Sequence, residues 1–191
     1  MSFRLRVKHG LRSLRPQPSR THLREQLRVV IGMFLGVLFT AAICRTGLPS
    51  GATPWLIAPM GASAVLIFGL PASPLAQPWA VVVGHGISAL VGVACVRLIS
   101  DPLLGPSCAV AGAMAAMYGL RSLHPPGGAT ALYAVLAAPT LAPLGLSFLG
   151  TVLLNALLLT LFALSYHRLT GQSYPVHPFH HRHPPLSGKT E

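Results

Sequence analysis

Four long apolar segments constrain the fold of this chain more than any other feature of its sequence. They cover residues 29–44, 80–96, 103–120 and 144–166, and each approaches the roughly 20 residues that cross about 30 Å of hydrocarbon as a helix. Only 9% of the residues are charged and 52% are hydrophobic, whereas a soluble domain carries about 25% charged residues. This composition excludes a soluble globular domain and a disordered chain. The sequence therefore predicts an all-α, polytopic transmembrane helical bundle.

The basic residues are concentrated at one end of the chain. Eight of the 14 Lys and Arg residues precede residue 29, where they can face anionic lipid headgroups and set the orientation in a bilayer. We therefore expect a basic cytoplasmic arm over residues 1–28, with a short helix near 21–28, a transmembrane domain over 29–168, and a His/Pro-rich cytoplasmic tail over 169–191. The expected location is the cell inner membrane, with both termini cytoplasmic. Membrane lipid is an expected partner and nucleic acid is not, because the mean hydropathy is +0.60.

Charge counting leaves two topologies open. Four crossings place twelve basic residues inside, with Arg45 and Arg121 outside, whereas six crossings also place twelve inside, with Arg45 and Arg97 outside. Five crossings place only nine inside, which the positive-inside rule disfavours. Six crossings would relate two halves of the chain by inversion, and four would make the halves parallel.

Two shorter segments, residues 54–69 and 124–136, lie between the long ones and resemble each other. At an offset of 67 residues they share the pattern P-x-G-A-[S/T]-A-[V/L], which covers residues 59–65 and 126–132. The same offset aligns residues 80–96 with 147–163. We therefore expect four long helices plus two shorter Pro/Gly-broken segments, with an internal two-fold repeat of halves near 29–96 and 103–166. Chance similarity between Ala/Gly-rich membrane segments is the alternative explanation.

The broken segments predict where a binding site lies. Non-helical backbone cannot face lipid, so it must be buried in protein or line a wet cavity. Short interrupted segments at corresponding places in two halves are typical of transporter binding sites, and two helix starts that aim free N–H groups inward favour an anion between them. The candidate substrate-binding residues are Gly61, Ser63, His85, Arg121, His124, Pro125, Pro126, Gly127, Gly128 and Thr130.

These residue types suit an anion site for different reasons. His124 and His85 are candidate anion ligands or proton carriers, because an ionisable group inside a membrane helix is a functional candidate; the alternatives are a structural loop histidine and an interhelical hydrogen bond. Arg121 would add a fixed positive charge or anchor the chain at the interface. Gly61, Gly127 and Gly128 would allow close backbone approach. For Asn155 we expect a packing role through a bond between helices.

The motifs also support a family resemblance. The run Leu123-His124-Pro125-Pro126-Gly127-Gly128-Ala129-Thr130-Ala131-Leu132 resembles the defining motif of the HPP family of integral membrane proteins, and residues 58–66, residues 71–78 and Gly84-His85 are similar to that family as well. The resemblance covers about residues 25–170. It implies four transmembrane helices and a role in transport, and plant chloroplast members are associated with nitrite transport.

The sequence thus predicts a small transporter or channel-like permease for a small anion, nitrite-like in chemistry. The alternative is a non-transporting structural or regulatory membrane subunit. We expect no enzyme activity, because the sequence shows no paired carboxylates, nucleophile–base pair or phosphate-binding loop. Cys44, Cys95 and Cys108 have neither metal-ligand nor disulfide-framework spacing, and we expect no cofactor or metal site. A chain of this size is expected to work as a homo-oligomer.

Overall fold

The computed structural model describes residues 21–47, 54–137 and 145–176, and these residues form helices and connecting turns without any β-strand. The predicted all-α helical bundle is confirmed. Most of the basic arm and residues 177–191 of the tail lie outside the described residues. The helices are α1 (Leu23–Gly47), α2 (Pro59–Gly69), α3 (Pro78–Leu98), α4 (Leu104–Gly119), α5 (Pro125–Leu136) and α6 (Leu146–Leu169), with a 3₁₀ turn at Pro74–Ala76 between α2 and α3.

The described helices fall into three length classes, and α4 is intermediate. By length and composition, α1, α3 and α6 can each cross a membrane, whereas α4 has 16 residues and is shorter than the segment predicted over 103–120. The helices α2 and α5 have 11 and 12 residues, and at 1.5 Å per residue each is roughly 17–18 Å long. The separate short helix expected near residues 21–28 is instead the beginning of α1.

Local sequence explains where most helices begin. Pro59, Pro78 and Pro125 are the first residues of α2, α3 and α5, positions at which the missing N–H of proline costs nothing. The start of α4 is capped differently, because Asp101 Oδ1 accepts hydrogen bonds from the Leu103 and Leu104 N–H groups at 2.9 and 2.8 Å. These two bonds hold the pKa of the exposed Asp101 carboxyl below its usual value.

Contacts between helices show that consecutive helices run in opposite directions. Arg28 and Cys44 of α1 bond to Tyr166 and Asn155 of α6, so these two helices are antiparallel. Asn155 and His167 of α6 bond to Ile57 and Ile67 at the two ends of α2, so α2 and α6 are parallel. A short turn folds α3 back onto α2.

The second half continues the alternation. Gly84 and Gly92 of α3 lie against residues 122–124 and 131–134, so α3 and α5 are parallel, whereas Gly84 contacts Met117 and Gly112 contacts Val91, so α4 is antiparallel to α3. The helices α1–α2–α3 and α4–α5–α6 therefore run in inverted senses, which is the arrangement of an inverted repeat. Arg45 and Arg97 end up at one end of the bundle and Arg121 and Arg168 at the other, as the six-crossing count requires.

Aromatic packing joins α1, α2 and α6 around Phe68. The Phe68 ring is fully buried and lies 5.5–6.3 Å, between centroids, from the rings of Phe162, Tyr166 and His167. A Cβ atom at Gly32 or Gly36 of α1 would lie 2.8–2.9 Å from the Phe68 ring, so glycine at both positions lets α1 approach α2. Large apolar side chains cover the outer faces of the bundle, where lipid would contact them: Val30, Ile31, Phe34, Leu38, Val65, Leu90, Leu157 and Leu161.

Candidate functional site

Ser63 on α2 is the centre of a buried polar cluster. Its Oγ lies 2.7 Å from Nε2 of His85 on α3 and 2.9 Å from Nε2 of His124, which immediately precedes α5. The other ring nitrogen of His85, Nδ1, lies 2.7 Å from Oγ1 of Thr130 on α5. We refer to Ser63, His85, His124 and Thr130 as the histidine cluster. All four side chains are 0% exposed.

Backbone carbonyls complete the surroundings of the cluster. His124 Nδ1 lies 2.8 Å from the carbonyl oxygen of Leu75, in the 3₁₀ turn between α2 and α3. The Ser63 hydroxyl also lies 3.3 Å from the carbonyl oxygen of Pro59, and the Thr130 hydroxyl lies 3.3 Å from that of Pro126. These two contacts are equivalent in the repeat, because both pairs are separated by the offset of 67 residues.

This pattern of donors and acceptors assigns the hydrogens of the neutral cluster. The Leu75 carbonyl can only accept, so His124 carries its hydrogen on Nδ1 and donates to that oxygen. The Nε2 of His124 then accepts from the Ser63 hydroxyl, whose oxygen accepts in turn from Nε2–H of His85. The remaining His85 nitrogen, Nδ1, accepts from the Thr130 hydroxyl. The hydrogen bonds therefore all run in one direction, from the Thr130 hydroxyl through His85, Ser63 and His124 to the Leu75 carbonyl. Each ring nitrogen of the two histidines has a partner.

The two imidazole rings are close enough to limit the charge of the cluster. Their centroids are 4.8 Å apart in an edge-to-face arrangement. At an effective dielectric constant of about 20, two positive charges at that separation repel by about 3.5 kcal/mol. Only one of His85 and His124 is therefore expected to be cationic at a time.

Glycines bring the helices around the cluster into contact. A Cβ atom at Gly84 would lie 2.8 Å from both His124 Cβ and the Ser122 carbonyl oxygen, and one at Gly127 would lie 2.8 Å from Ser88 Oγ. Within the described part of the chain, the hydroxyls of Ser88 and Ser122 are buried without a hydrogen-bond partner. Two unpaired donors thus lie beside the cluster.

Six of the ten predicted site residues lie outside the histidine cluster. Pro125 is exposed and Gly128 is half-buried, whereas Pro126 and Gly127 are buried. Arg121 is exposed in the preceding turn, where its φ is +50°. Gly61 is exposed on α2, and no atom of the described residues lies within 4 Å of a Cβ atom there; at Gly128 the nearest is Val110 Cγ1 at 4.0 Å. The close backbone approach predicted for these two glycines therefore does not occur, whereas Gly127 shows it.

The predicted supply of free backbone N–H groups is also corrected. The first N–H groups of α2 bond locally, Met60 to the Ile57 carbonyl at 3.0 Å and Gly61 to the Ala58 carbonyl at 3.1 Å. In α5, the Gly127 N–H donates to the His124 carbonyl at 2.8 Å. Tight turns ahead of both helices consume these donors. The donors available at the site are therefore side-chain N–H and O–H groups.

Asn155 holds the non-helical backbone before α2 in place. Its side-chain amide accepts from the Ile57 N–H and donates to the Trp55 carbonyl, both at 3.1 Å, and it lies 3.2 Å from Cys44 Sγ. These bonds between elements agree with the packing role expected for Asn155. The Leu75 carbonyl has no residue-type signal in the sequence because it acts through its backbone position, and the sequence did not single out Ser88 or Ser122 as site residues.

A second polar region lies at the end of the bundle where α1 begins and α6 ends. An open cavity of about 620 Å³ is lined there by Arg24, Glu25, Arg28, Thr170 and Gln172, among others. Glu25 forms an ion pair with Arg28, whose guanidinium also contacts Nδ1 of His167 at 3.3 Å. The ion pair neutralises Arg28, and Arg24 leaves the cavity lining with a net positive charge. We take the histidine cluster as the candidate site because it is buried and joins equivalent positions of the two halves.

The fold and the cluster together define a multi-pass helical membrane protein with an inverted repeat and a buried polar centre. The HPP transmembrane region matches residues 18–175, so the chain belongs to the HPP family. Two transmembrane proteins of Dictyostelium discoideum are each 41% identical to it, over 125 and 110 residues, which are 63% and 56% of this chain. The matches cover 40% and 39% of those relatives, so the chain spans about two fifths of their length. No solved structure matches the chain significantly.

Proposed function

We propose that this chain is a transporter or channel-like permease for a small monovalent anion, with nitrite as the first candidate substrate. One observation carries the proposal: Ser63 and Thr130, at equivalent positions of two inverted halves, meet at the buried side chain of His85. Interrupted helices at corresponding places in inverted repeats form the substrate sites of many secondary transporters. The basic arm favours an inner-membrane location with both termini in the cytoplasm.

The chemistry of the cluster favours an anion over a cation. Its side chains offer imidazole N–H and hydroxyl donors, and the unpaired hydroxyls of Ser88 and Ser122 lie beside them. The acidic residues of the described chain, Glu25 and Asp101, lie at the start of α1 and before α4. A cation in the cluster would therefore lack a carboxylate, whereas nitrite oxygens could accept several hydrogen bonds.

Transport requires this arrangement to open, because the cluster is fully buried. We therefore interpret the structure as an occluded state, in which neither end of the bundle reaches the site. In proteins built from inverted repeats, rocking or gating of one half against the other exposes a central site to alternate sides. The short helices α2 and α5 are the elements whose movement would uncover Ser63 and Thr130.

Uptake of nitrite into proteoliposomes tests the proposal. Purified full-length protein is reconstituted, and nitrite entry near neutral pH is compared with entry into protein-free liposomes. The informative variants are His124→Gln and His85→Gln, which remove the ring while keeping a polar side chain. The matched control is His167→Gln, since His167 is a buried histidine on α6 that bonds to the Ile67 carbonyl outside the cluster.

We expect the nitrite uptake rate of each cluster variant to fall at least about tenfold, because losing one hydrogen bond of about 1.4 kcal/mol changes a rate by about a factor of ten. The control should keep its rate within about twofold. Folding is checked by helical circular dichroism and size-exclusion chromatography. If folded wild-type protein carries neither nitrite, nitrate nor chloride above the protein-free rate, the proposal is wrong and the non-transporting subunit is favoured.

A further inference from the structure

We infer that the histidine cluster carries one proton together with each anion, so that transport is electroneutral. The inference rests on the proposed function and adds the co-transported ion to it. It comes from the hydrogen-bond geometry of the cluster. The hydroxyls of Ser63 and Thr130 each have two acceptors within reach: a histidine nitrogen, and a backbone carbonyl of the same helix that we call the reserve acceptor.

The reserve acceptor of Thr130 allows His85 to take up a proton without losing a hydrogen bond. In the neutral cluster the Thr130 hydroxyl donates to Nδ1 of His85. When a proton binds that nitrogen, Nδ1–H donates to the Thr130 oxygen, and the hydroxyl turns to the Pro126 carbonyl oxygen at 3.3 Å. The imidazolium keeps both of its hydrogen bonds, and the hydroxyl keeps a partner.

Ser63 does the same for His124. A proton on Nε2 of His124 turns that nitrogen into a donor to Ser63 Oγ, and the Ser63 hydroxyl then turns to the Pro59 carbonyl oxygen at 3.3 Å. When His124 is protonated directly and His85 keeps its hydrogen on Nε2, the Ser63 oxygen accepts from both rings. The two reserve carbonyls, Pro59 and Pro126, are equivalent in the repeat, so both switches come from the same local motif.

Ser63 also connects the two rings as a relay. Protonated His85 gives the hydrogen on Nε2 to Ser63 Oγ, and Ser63 gives its own hydroxyl hydrogen to Nε2 of His124. One N–H bond breaks at His85, one forms at His124, and Ser63 ends with one hydrogen as it began. The positive charge moves from the first ring to the second without any water molecule taking part.

The charge balance of the surroundings couples this proton to an anion. No carboxylate lies on α2 to α6 or on the 3₁₀ turn among the described residues, so a proton added to the cluster creates an unpaired buried charge, which is costly. An anion that enters supplies the missing negative charge, and each ion therefore favours the other. Among the described residues, the titratable or charged side chains of these elements and their flanking turns, besides the two cluster histidines, are Cys95, Arg97, Asp101, Cys108, Tyr118, Arg121, Tyr133, Tyr166, His167, Arg168 and Tyr174. Asp101 is exposed in the turn before α4, outside the cluster.

Fluxes driven by separate gradients test the coupling. Proteoliposomes receive nitrite under an inward proton gradient at zero membrane potential, or under a valinomycin-imposed potassium potential without a proton gradient, and a trapped pH dye reports proton entry. Protein-free liposomes give the passive entry of nitrous acid. We expect the proton gradient to accelerate uptake at least about fivefold, the potential to change it less than about twofold, and one proton to enter per nitrite.

The hydroxyl switch is tested with variants of one position. Thr130→Val keeps the shape and removes the switch, so uptake driven by the proton gradient should fall at least about tenfold, and Thr130→Ser should restore most of it. Thr160→Val is the control, because Thr160 is a buried threonine of α6 whose hydroxyl, among the described residues, bonds only to the Ala156 carbonyl of its own helix. Equal rates in Thr130→Val and wild type would overturn the switch.

The outcomes separate this inference from the proposed function. Nitrite uptake driven by the membrane potential without proton entry overturns the coupling and leaves the transporter standing. If the protein shows no flux, the proposed transport function is wrong. The protonation of the cluster is then measured by ¹⁵N NMR of histidine-labelled full-length protein in detergent, with His85→Gln and His124→Gln for assignment. We expect Nδ1–H on His124, Nε2–H on His85 and uptake of one proton by the pair; two independent protonations would contradict the inference.

Discussion

Ser63 and Thr130 bond to opposite nitrogens of a single histidine, His85, each at 2.7 Å. The two hydroxyls occupy equivalent positions in the repeat, but the histidines do not have equivalents of their own kind. At the same offset of 67 residues, His85 corresponds to Val152 and His124 corresponds to Ile57, and both of these apolar side chains are fully buried. A nearly symmetrical scaffold therefore holds one polar centre rather than two.

The first prediction concerns the glycines beside the cluster. Gly84→Ala would place a Cβ atom 2.8 Å from the backbone oxygen of Ser122 and from His124 Cβ, so we expect a loss of about 1–3 kcal/mol from overpacking. Gly150→Ala on α6 is the control, since within the described part of the chain a Cβ atom there has no neighbour within 4 Å. Thermal unfolding in detergent, followed by circular dichroism, measures both. A Gly84→Ala protein as stable as the control would contradict the close contact.

The second prediction compares two repeat-equivalent positions, Asn155 and Ser88. Asn155→Ala leaves the Ile57 N–H and the Trp55 carbonyl without their partner, and an unsatisfied buried group costs about 1–3 kcal/mol. Ser88→Ala removes a hydroxyl that has no partner among the described residues, so we expect a change below about 1 kcal/mol. Denaturant unfolding of both variants measures the difference, and equal losses would show that the bonds of Asn155 do not stabilise the fold.

The third prediction concerns the topology. The alternating helix directions place Arg45 and Arg97 at one end of the bundle and Arg121 at the other, whereas four crossings would group Arg45 with Arg121. Single Arg45→Cys, Arg97→Cys and Arg121→Cys variants are made after Cys44, Cys95 and Cys108 are replaced by alanine. In sealed vesicles, we expect a membrane-impermeant maleimide to label the first two from the same side. Labelling of Arg45→Cys and Arg121→Cys from one side would refute the inverted arrangement.

The fourth prediction concerns pH and Tyr174, which follows α6. Its hydroxyl donates to the Ala76 carbonyl at 2.8 Å, and burial raises the pKa of this phenol above its ordinary value of 10. Because the unfolded chain loses this proton first, the stabilisation is complete below about pH 10 and falls as the pH rises further. We expect the melting temperature of wild type to fall more steeply above pH 10 than that of Tyr174→Phe. Parallel curves would contradict the buried hydroxyl.

The residues of the histidine cluster could be singled out from the sequence because their signals are local. The repeated P-x-G-A-[S/T]-A-[V/L] pattern marks Ser63 and Thr130 as a pair, and a histidine inside an apolar helix marks His85. Proline at the start of α2 and α5 predicted both short helices, since it fits only the first turn without cost. The inverted relation of the halves stayed undecided, because the charges balance equally well for four and for six crossings.

The features that sequence reasoning missed depend on tertiary geometry. A backbone carbonyl such as that of Leu75 has no residue-type signal, so the tautomer that it fixes in His124 could not be predicted. The glycines look alike in sequence, yet a Cβ atom at Gly127 would meet α3, whereas one at Gly61 would meet none of the described residues within 4 Å. The facing helix rather than the glycine decides the contact. The N–H groups expected to be free at the start of α2 donate to the Ile57 and Ala58 carbonyls in a tight turn. The residue types do not predict that turn.

The histidine cluster is tested most directly as the transport site by a variant in which the polar half of the bundle resembles the apolar half. The double variant His85→Val/His124→Ile copies the equivalent residues Val152 and Ile57, and it leaves Ser63 and Thr130 bonded to their own helix carbonyls. Nitrite flux of this folded variant in proteoliposomes is compared with wild type. We expect the nitrite flux of the double variant to fall to the rate of protein-free liposomes while its melting transition stays intact. A folded double variant that carries nitrite as fast as wild type would show that the histidine cluster is not the transport site.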